Sequence, residues 1–327
     1  MHYVIGRNNI ALAYNGKLMG VEEYTLPPYT FRIEFTKSDY DPSDFHSDRI
    51  TWTQVQGVST NQWDATYENS DWTRLFQLLC PSSWSDGEFR VIGAGDLSGV
   101  TNMRELFWDA DLLETCWFNT SNVTDMYGMF AYTSVKTIPN LYTHNVTTMQ
   151  EMFDHCSLLE AIPWMDTSNV TSMEAMMEGT QIVSFPELDT HKVTSMWDMF
   201  RSCLHLKDVP MMDTSSVVTM KDMFYDCASL ETIPTFNTSK VKNMSGILRS
   251  CLKLRTVPLF DVTSLEDISI AFNDDYRVES GALALYNRAK DVIPASSTSA
   301  YVHAFRDCGA WTTTGAAELA QIPESWK

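Results

Sequence analysis

A valine recurs every 23 or 24 residues through the middle of this chain, at Val100, Val123, Val146, Val170, Val193, Val217 and Val241, with Leu265 in the same place. A unit this short owns one apolar face and cannot bury it alone; stacking against copies of itself is what closes a core. Residues from about 89 to 272 therefore read as a tandem array, and that periodicity limits the fold more than any other feature.

Within each unit the apolar positions are fixed. Three residues after the valine stand Met103, Met126, Met149, Met173, Met196, Met220, Met244 and Ile268. Three further on come Leu106, Met129, Met152, Met176, Met199, Met223, Ile247 and Ala271, followed directly by Phe107, Phe130, Phe153, Met177, Phe200, Phe224, Leu248 and Phe272. Spacing of i, i+3, i+6, i+7 is that of one face of a short helix. Most of the 18 methionines fall in this stripe, where strict repetition marks them as core. The second half of a unit reads Leu-x-x-Ile/Val-Pro, as in Leu159–Pro163, Leu206–Pro210, Leu230–Pro234 and Leu254–Pro258. Proline lacks a backbone donor, so this is an extended segment or at most a short strand. A polar turn follows, such as Asp166-Thr167-Ser168, Asp213-Thr214-Ser215 or Asn237-Thr238-Ser239. The expected fold is an α/β repeat solenoid, a right-handed stack of about eight leucine-rich-repeat-like units.

Other features bound what such a stack does. A net charge of −19 argues against nucleic acid and anionic membrane surfaces as partners. No apolar run is long enough to span a bilayer, and Met1–Asn9 lacks a basic-then-apolar leader, so synthesis without an export signal of the usual kind is expected. The seven cysteines are Cys80, Cys116, Cys156, Cys203, Cys227, Cys251 and Cys308. Cys156, Cys203, Cys227 and Cys251 share one repeat position, which Thr133 and Thr180 fill in other units, so free, buried thiols are expected there. The chain carries no phosphate-binding glycine loop, His-Glu-x-x-His or Gly-x-Ser-x-Gly, and no enzyme, cofactor or metal is expected. Of the histidines His2, His46, His144, His155, His191, His205 and His303, several fall at unrelated positions of successive repeats, which marks exposed variation and not a shared site. The column Asp166, Asp189, Asp213, Asn237, Asp261 is a calcium candidate on composition, but turn capping accounts for it. Asn119, Asn122, Asn145, Asn169, Asn237 and Asn243 match the glycosylation triplet only because the turns repeat.

The two ends differ from the array. Residues 1–65 form a small β-rich module with strands expected at Tyr29–Phe35 and Ile50–Val55. It carries Tyr24, Tyr29 and Trp52 as candidate exposed aromatics, and is a cap, an anchor to a larger assembly, or both. Residues 66–272 are the solenoid, opening with a capped helix at Asp71–Phe76. Residues 273–327 read as a closing repeat interrupted by a helix over Glu279–Tyr286; Ala304-Phe305-Arg306-Asp307-Cys308 and Leu319–Pro323 then resume the pattern.

The consensus Asp-Thr-Ser-x-Val-Thr-x-Met-x-x-Met-Phe-x-x-Cys-x-x-Leu-x-x-Ile-Pro resembles that of the BspA-like leucine-rich-repeat surface proteins over the central 180 residues or so. That resemblance implies a surface adhesion or interaction module and carries over no catalytic residue. The expected role is a non-enzymatic binding protein. A phage virion component (tail fibre, spike or head decoration) meeting the host surface comes first, and a bacterial surface adhesin is the alternative, with an intracellular scaffold behind both. Its partners would be assembly proteins at the N-terminal module and a host protein or glycan at the array. Repeat scaffolds bind through surface rows that vary while the core stays fixed. Such rows here include Lys207, Asp208 and Arg255 within the extended segment, and Trp164, Glu187, Met211, Thr235 and Leu259 after the proline.

Overall fold

The computed structural model describes residues 26–39, 41–42, 50–67, 69, 72–76 and 88–327, together with four short strands near the N-terminus. Those strands make two antiparallel hairpins, β1 (Val4–Gly6) with β2 (Asn9–Ala11) and β3 (Ala13–Tyr14) with β4 (Lys17–Leu18). The sequence expectations at Tyr24, Asp71, Cys80, His2 and His46 lie outside the described residues.

Alternating Phe31, Ile33 and Phe35 point one face of β5 (Thr30–Phe35) into the core, as strand geometry requires. β5 lies between β7 (Asn61–Thr66) and β8 (Phe89–Ala94), with β6 (Thr51–Gln54) outside β7 and β9 (Leu112–Thr115) outside β8. All these pairs are antiparallel except β8 with β9. The N-terminal sheet thus runs straight into the first coils of the array. Phe31 meets Trp72 edge-on at 5.2 Å and Phe118 at 5.1 Å, and lies 6.0 Å from Phe107. Tyr29 and Trp52, expected to be exposed, are half-buried against this core, with Trp52 6.4 Å from Phe35.

Beyond β9 the chain coils, and each coil joins the next through a one-residue parallel bridge: Asn102 to Asp125, then Thr148, Ser172, Ser195, Thr219, Asn243 and Asp267. The short helix expected after each bridge is absent. Two linked tight turns stand in its place. In one coil the N–H groups of Met129 and Thr133 donate to the carbonyls of Met126 and Phe130, three residues back. Gly128 and Tyr132, third in these turns, have φ of 55° and 61°, as a type II turn demands. Between them, Met126, Gly128, Phe130 and Tyr132 donate instead to Thr148, Gln150, Met152 and Asp154 of the next coil. Donors therefore alternate between their own coil and a neighbour, which a helix never does. Two such turns turn Met126, Met129, Phe130 and Thr133 inward, the same spacing a helix face would give. All of them are buried. Phe76, Phe107, Phe130 and Phe153 stack through the interior at 5.2–5.8 Å. Trp72–Phe76 already follows this ribbon, since Trp72, Arg74 and Phe76 donate to Asn102, Arg104 and Leu106.

The thiols at the repeat position are buried and free, as is that of Cys308, while Cys116 is free and half-buried. Cys156, Cys203, Cys227 and Cys251 each direct Sγ at a carbonyl of the preceding coil, 3.0–3.1 Å away. Thr133 and Thr180 bond Phe130 and Met177 carbonyls from within their own coil, so hydroxyl and thiol serve the same acceptors. Burial pushes the Cys156 and Cys203 thiols up to about 12.

Cys116 is a different case. It stands seven residues before Val123, where later units carry proline. Having an N–H, it donates to Val91 at 2.8 Å and extends the parallel pairing of β9 on β8. Proline removes that donor from the later coils, and no strand longer than the bridges forms in them. Cys116→Pro, although it restores the repeat consensus, is expected to cost about 1–3 kcal/mol by orphaning the Val91 carbonyl. An unchanged urea midpoint would show the bond to be dispensable.

At the far end the coil is lengthened by α1 (Ala282–Ala289), which begins after Gly281 at φ 98° rather than at Glu279. The ribbon then resumes, with Ile268, Ile270, Phe272 and Asp274 donating to Ala300, Val302, Ala304 and Arg306. Leu319, expected in an extended segment, closes α2 (Thr313–Leu319) instead. Trp326 covers the last coil, stacked on Tyr301 at 4.5 Å and accepting from the Phe305 N–H. Among the described residues no helix is long and apolar enough to cross a membrane.

Candidate functional site

Two outward surfaces carry large side chains. The first is the outer side of the turn ribbon, where the side chains are engaged with one another. Arg104 lies over the Tyr127 ring at 3.6 Å, Trp108 is 5.2 Å from Tyr132, and Tyr132 stacks on His155 at 4.9 Å. His155 Nδ1 bonds Asp154 Oδ1 at 2.5 Å, and the Arg201 guanidinium is 3.7 Å from Glu178. Asp154, His155 and Glu178 bring three donor atoms within 4.8 Å of one another, the only metal-like grouping among the described residues. Arg201 already supplies positive charge to that cluster. Burial pushes the Glu178 carboxyl up to about 7 and Asp198 up to about 6.

These shifts make stability pH-dependent. A carboxyl whose folded pKa is raised binds more protons folded than unfolded, so its contribution is complete below the unfolded value, about 4, and is lost as pH rises towards 7. The expected result is a melting temperature that declines from pH 5 to pH 8, with a shallower decline in Glu178→Gln. A flat wild-type profile would contradict the burial of these groups.

The second surface follows the extended segments, on the outside of the coils. Aligned six residues before each valine stand Trp117, Asn140, Trp164, Glu187, Met211, Thr235 and Leu259. All are exposed. The apolar members keep 47%, 67%, 62% and 48% of their surface open at Trp117, Trp164, Met211 and Leu259. Five of the eight residues singled out from the sequence thus fall in one row. Lys207, Asp208 and Arg255 lie exposed at its edge, Arg255 paired with Glu279 at 3.0 Å. Trp117, and Tyr142 edge-on to it at 5.8 Å, escape a reading keyed to proline because the first unit has Cys116 in that place. Counting back from the following valine finds Trp117.

What fixes this row is a second ladder. Thr120, Thr167, Thr190, Thr214 and Thr238 are buried and donate their hydroxyls to carbonyls of Tyr142, Asp189, Asp213, Asn237 and Asp261 in the next coil, at 2.7–2.9 Å. The aspartate column expected to cap turns does so. Oδ1 of Asp166, Asp189, Asp213, Asn237 and Asp261 accepts the N–H two residues on. Asn122, Asn145 and Asn169 spend their amides on carbonyls of the preceding coil, at 2.6–2.8 Å. Near the C-terminal end the row opens into a cleft of about 600 Å³, lined by Thr235, Phe236, Leu259, Asp261, Arg288 and Val292 among others. Large apolar side chains open to solvent, set among turn carboxylates on a rigid frame, make this a contact surface.

A family model described as "Mycoplasma protein of unknown function, DUF285" matches residues 82–185 and again 180–283. Among solved structures, a leucine-rich repeat protein from Eubacterium ventriosum ATCC 27560 is similar at 16% identity and a TM-score of 0.37, covering 67% of this chain and 71% of that one. No curated protein matches.

Proposed function

We propose, for a chain that belongs to the DUF285 family, that it is a binding protein without catalytic activity, using the exposed row from Trp117 to Leu259 as its contact face. The observation that carries this reading is the row itself: large apolar side chains held open to solvent by a hydroxyl-bonded frame. Isolated exposed apolar residues need no explanation, but an aligned set on one surface marks interaction. In this reading the array winds as a right-handed leucine-rich-repeat-like solenoid of BspA type. Its carrier is a virion structure to which residues 1–65 attach, and the surface it meets is that of a host cell.

Each part has its own test. Trp164→Ser with Met211→Ser should fold like the parent and abolish adhesion of the purified protein to target cells; retained adhesion would remove this face from the function. Deleting residues 1–65 removes β5 as well as any anchor, so attachment is better probed with surface substitutions in that module. Neighbouring portal and tail genes would support the virion, whereas a neighbouring cell-wall anchoring system would place the protein on a bacterial surface.

A further inference from the structure

The row alternates. Trp117, Trp164, Met211 and Leu259 fall on every second coil, and Asn140, Glu187 and Thr235 fall between them. The threonine hydroxyl bonds lock neighbouring coils together three residues further along, so the row rises by about 4.8 Å per coil and the apolar members recur about every 9.6 Å. Two residues along, on the same side of the extended segment, runs the column Asn119, Tyr142, Asp166, Asp189, Asp213, Asn237 and Asp261. Hydrogen bonds from the residue two positions on hold Asp166, Asp189, Asp213 and Asp261 below the usual carboxylate range. Each turn takes its hydrogen bond on Oδ1, so the second oxygen of the ionised carboxylate is not needed to hold the turn.

Resting on the binding role above, we propose that this strip receives a basic polypeptide segment in the polyproline II conformation, with an apolar side chain at every third residue and lysine or arginine between. Three facts select that occupant. Polyproline II repeats every three residues, about 9.3 Å, close to the two-coil step; same-face side chains of a β-strand recur at about 6.7 Å and fall out of phase. Its carbonyls are unbonded, and Asn140 and Thr235 supply donors between the apolar anchors. The carboxylate column complements a cationic chain and repels an acidic one, in a protein of net charge −19. Met211 and Leu259 are aliphatic, suited to side chains and not to the stacking of sugar rings. From Trp117 to Leu259 the strip spans about 29 Å, enough for roughly nine residues of such a ligand.

The test is fluorescence anisotropy of the full chain with a labelled peptide of four Leu-Pro-Lys triplets. Its controls are a Leu-Pro-Glu peptide of the same length and a basic amphipathic helical peptide. The expected result is saturable binding of the lysine peptide alone, weakened by added salt. Trp164→Ala with Met211→Ala should weaken it about tenfold or more. Asp166→Asn with Asp213→Asn keeps the turn acceptor, as native Asn119 and Asn237 do, and should also weaken it. Equal binding of both charge variants, preference for the helical peptide, or absence of peptide binding would each overturn the proposal. Cell adhesion of the same variants separates this from the broader reading. If Trp164→Ala with Met211→Ala loses adhesion while no peptide binds, the face stands and only the ligand is wrong.

Discussion

Replacing Met173 by aspartate is expected to destabilise the protein by about 4 kcal/mol or more, combining lost apolar burial with a carboxylate placed where nothing can pair it. Met173 is fully buried, and Met176 and Met177 beside it are as well. Its own N–H is already committed to Ser195 of the next coil at 3.2 Å, so the backbone cannot move aside without breaking the ribbon. Burial will raise the introduced carboxyl, and the penalty should shrink as pH falls towards 4. Chemical denaturation at two pH values reads both effects. A variant as stable as the parent would mean that the methionine stripe does not form the core.

Asp275→Asn is expected to act in the opposite direction. Asp275 occupies the cysteine column, ten residues after Leu265, and is completely buried. Its Oδ1 accepts the Cys251 N–H at 2.7 Å, while Oδ2 has no partner. Burial pushes this carboxyl far above its ordinary range. Folding near neutral pH must therefore bind a proton that the unfolded chain, with a pKa of about 3.9, does not hold, at a cost of at most about 4 kcal/mol at pH 7. Asparagine keeps the acceptor for Cys251 and needs no proton. Stability at pH 7 should rise by up to that amount, and the gain should shrink as pH falls and vanish below about pH 3, where the carboxyl is protonated in both states. Equal melting temperatures across that range would show that Asp275 is not held neutral by burial.

The repeat register, the core columns and most of the exposed row were legible in the sequence, because each depends on which positions meet a neighbour at a fixed period. The backbone between them was not. The i, i+3, i+4, i+7 face of Met126, Met129, Phe130 and Thr133 is shared by a helix and by two linked type II turns, and apolar spacing cannot separate them. Glycine could have: Gly128, Gly179 and Gly246 sit at the third place of a turn with φ between 55° and 67°. Residues such as Glu105 and Asp222 adopt the same backbone there, which blurs the signal. β7 went unseen because Asn61, Gln62 and Asp64 are polar, two of them buried, so no apolar alternation marks the strand, and Arg32 pairing with Asp64 at 2.8 Å is a cross-strand fact. Asp275 was hidden by the helix that follows it, which lengthens its coil.

The alternating row turns the stack into a ruler graduated in pairs. The backbone ribbon bonds each coil to the next in the same way, so a single unit could be lost or duplicated and that ladder of hydrogen bonds would still close. The row would not survive that change intact: removing one coil sets two apolar or two polar positions side by side and shifts every later anchor by half a step. Removing two leaves it in phase. Relatives that keep this contact face should therefore differ in length by about 47 residues at a time, the distance from Trp117 to Trp164, and not by one unit.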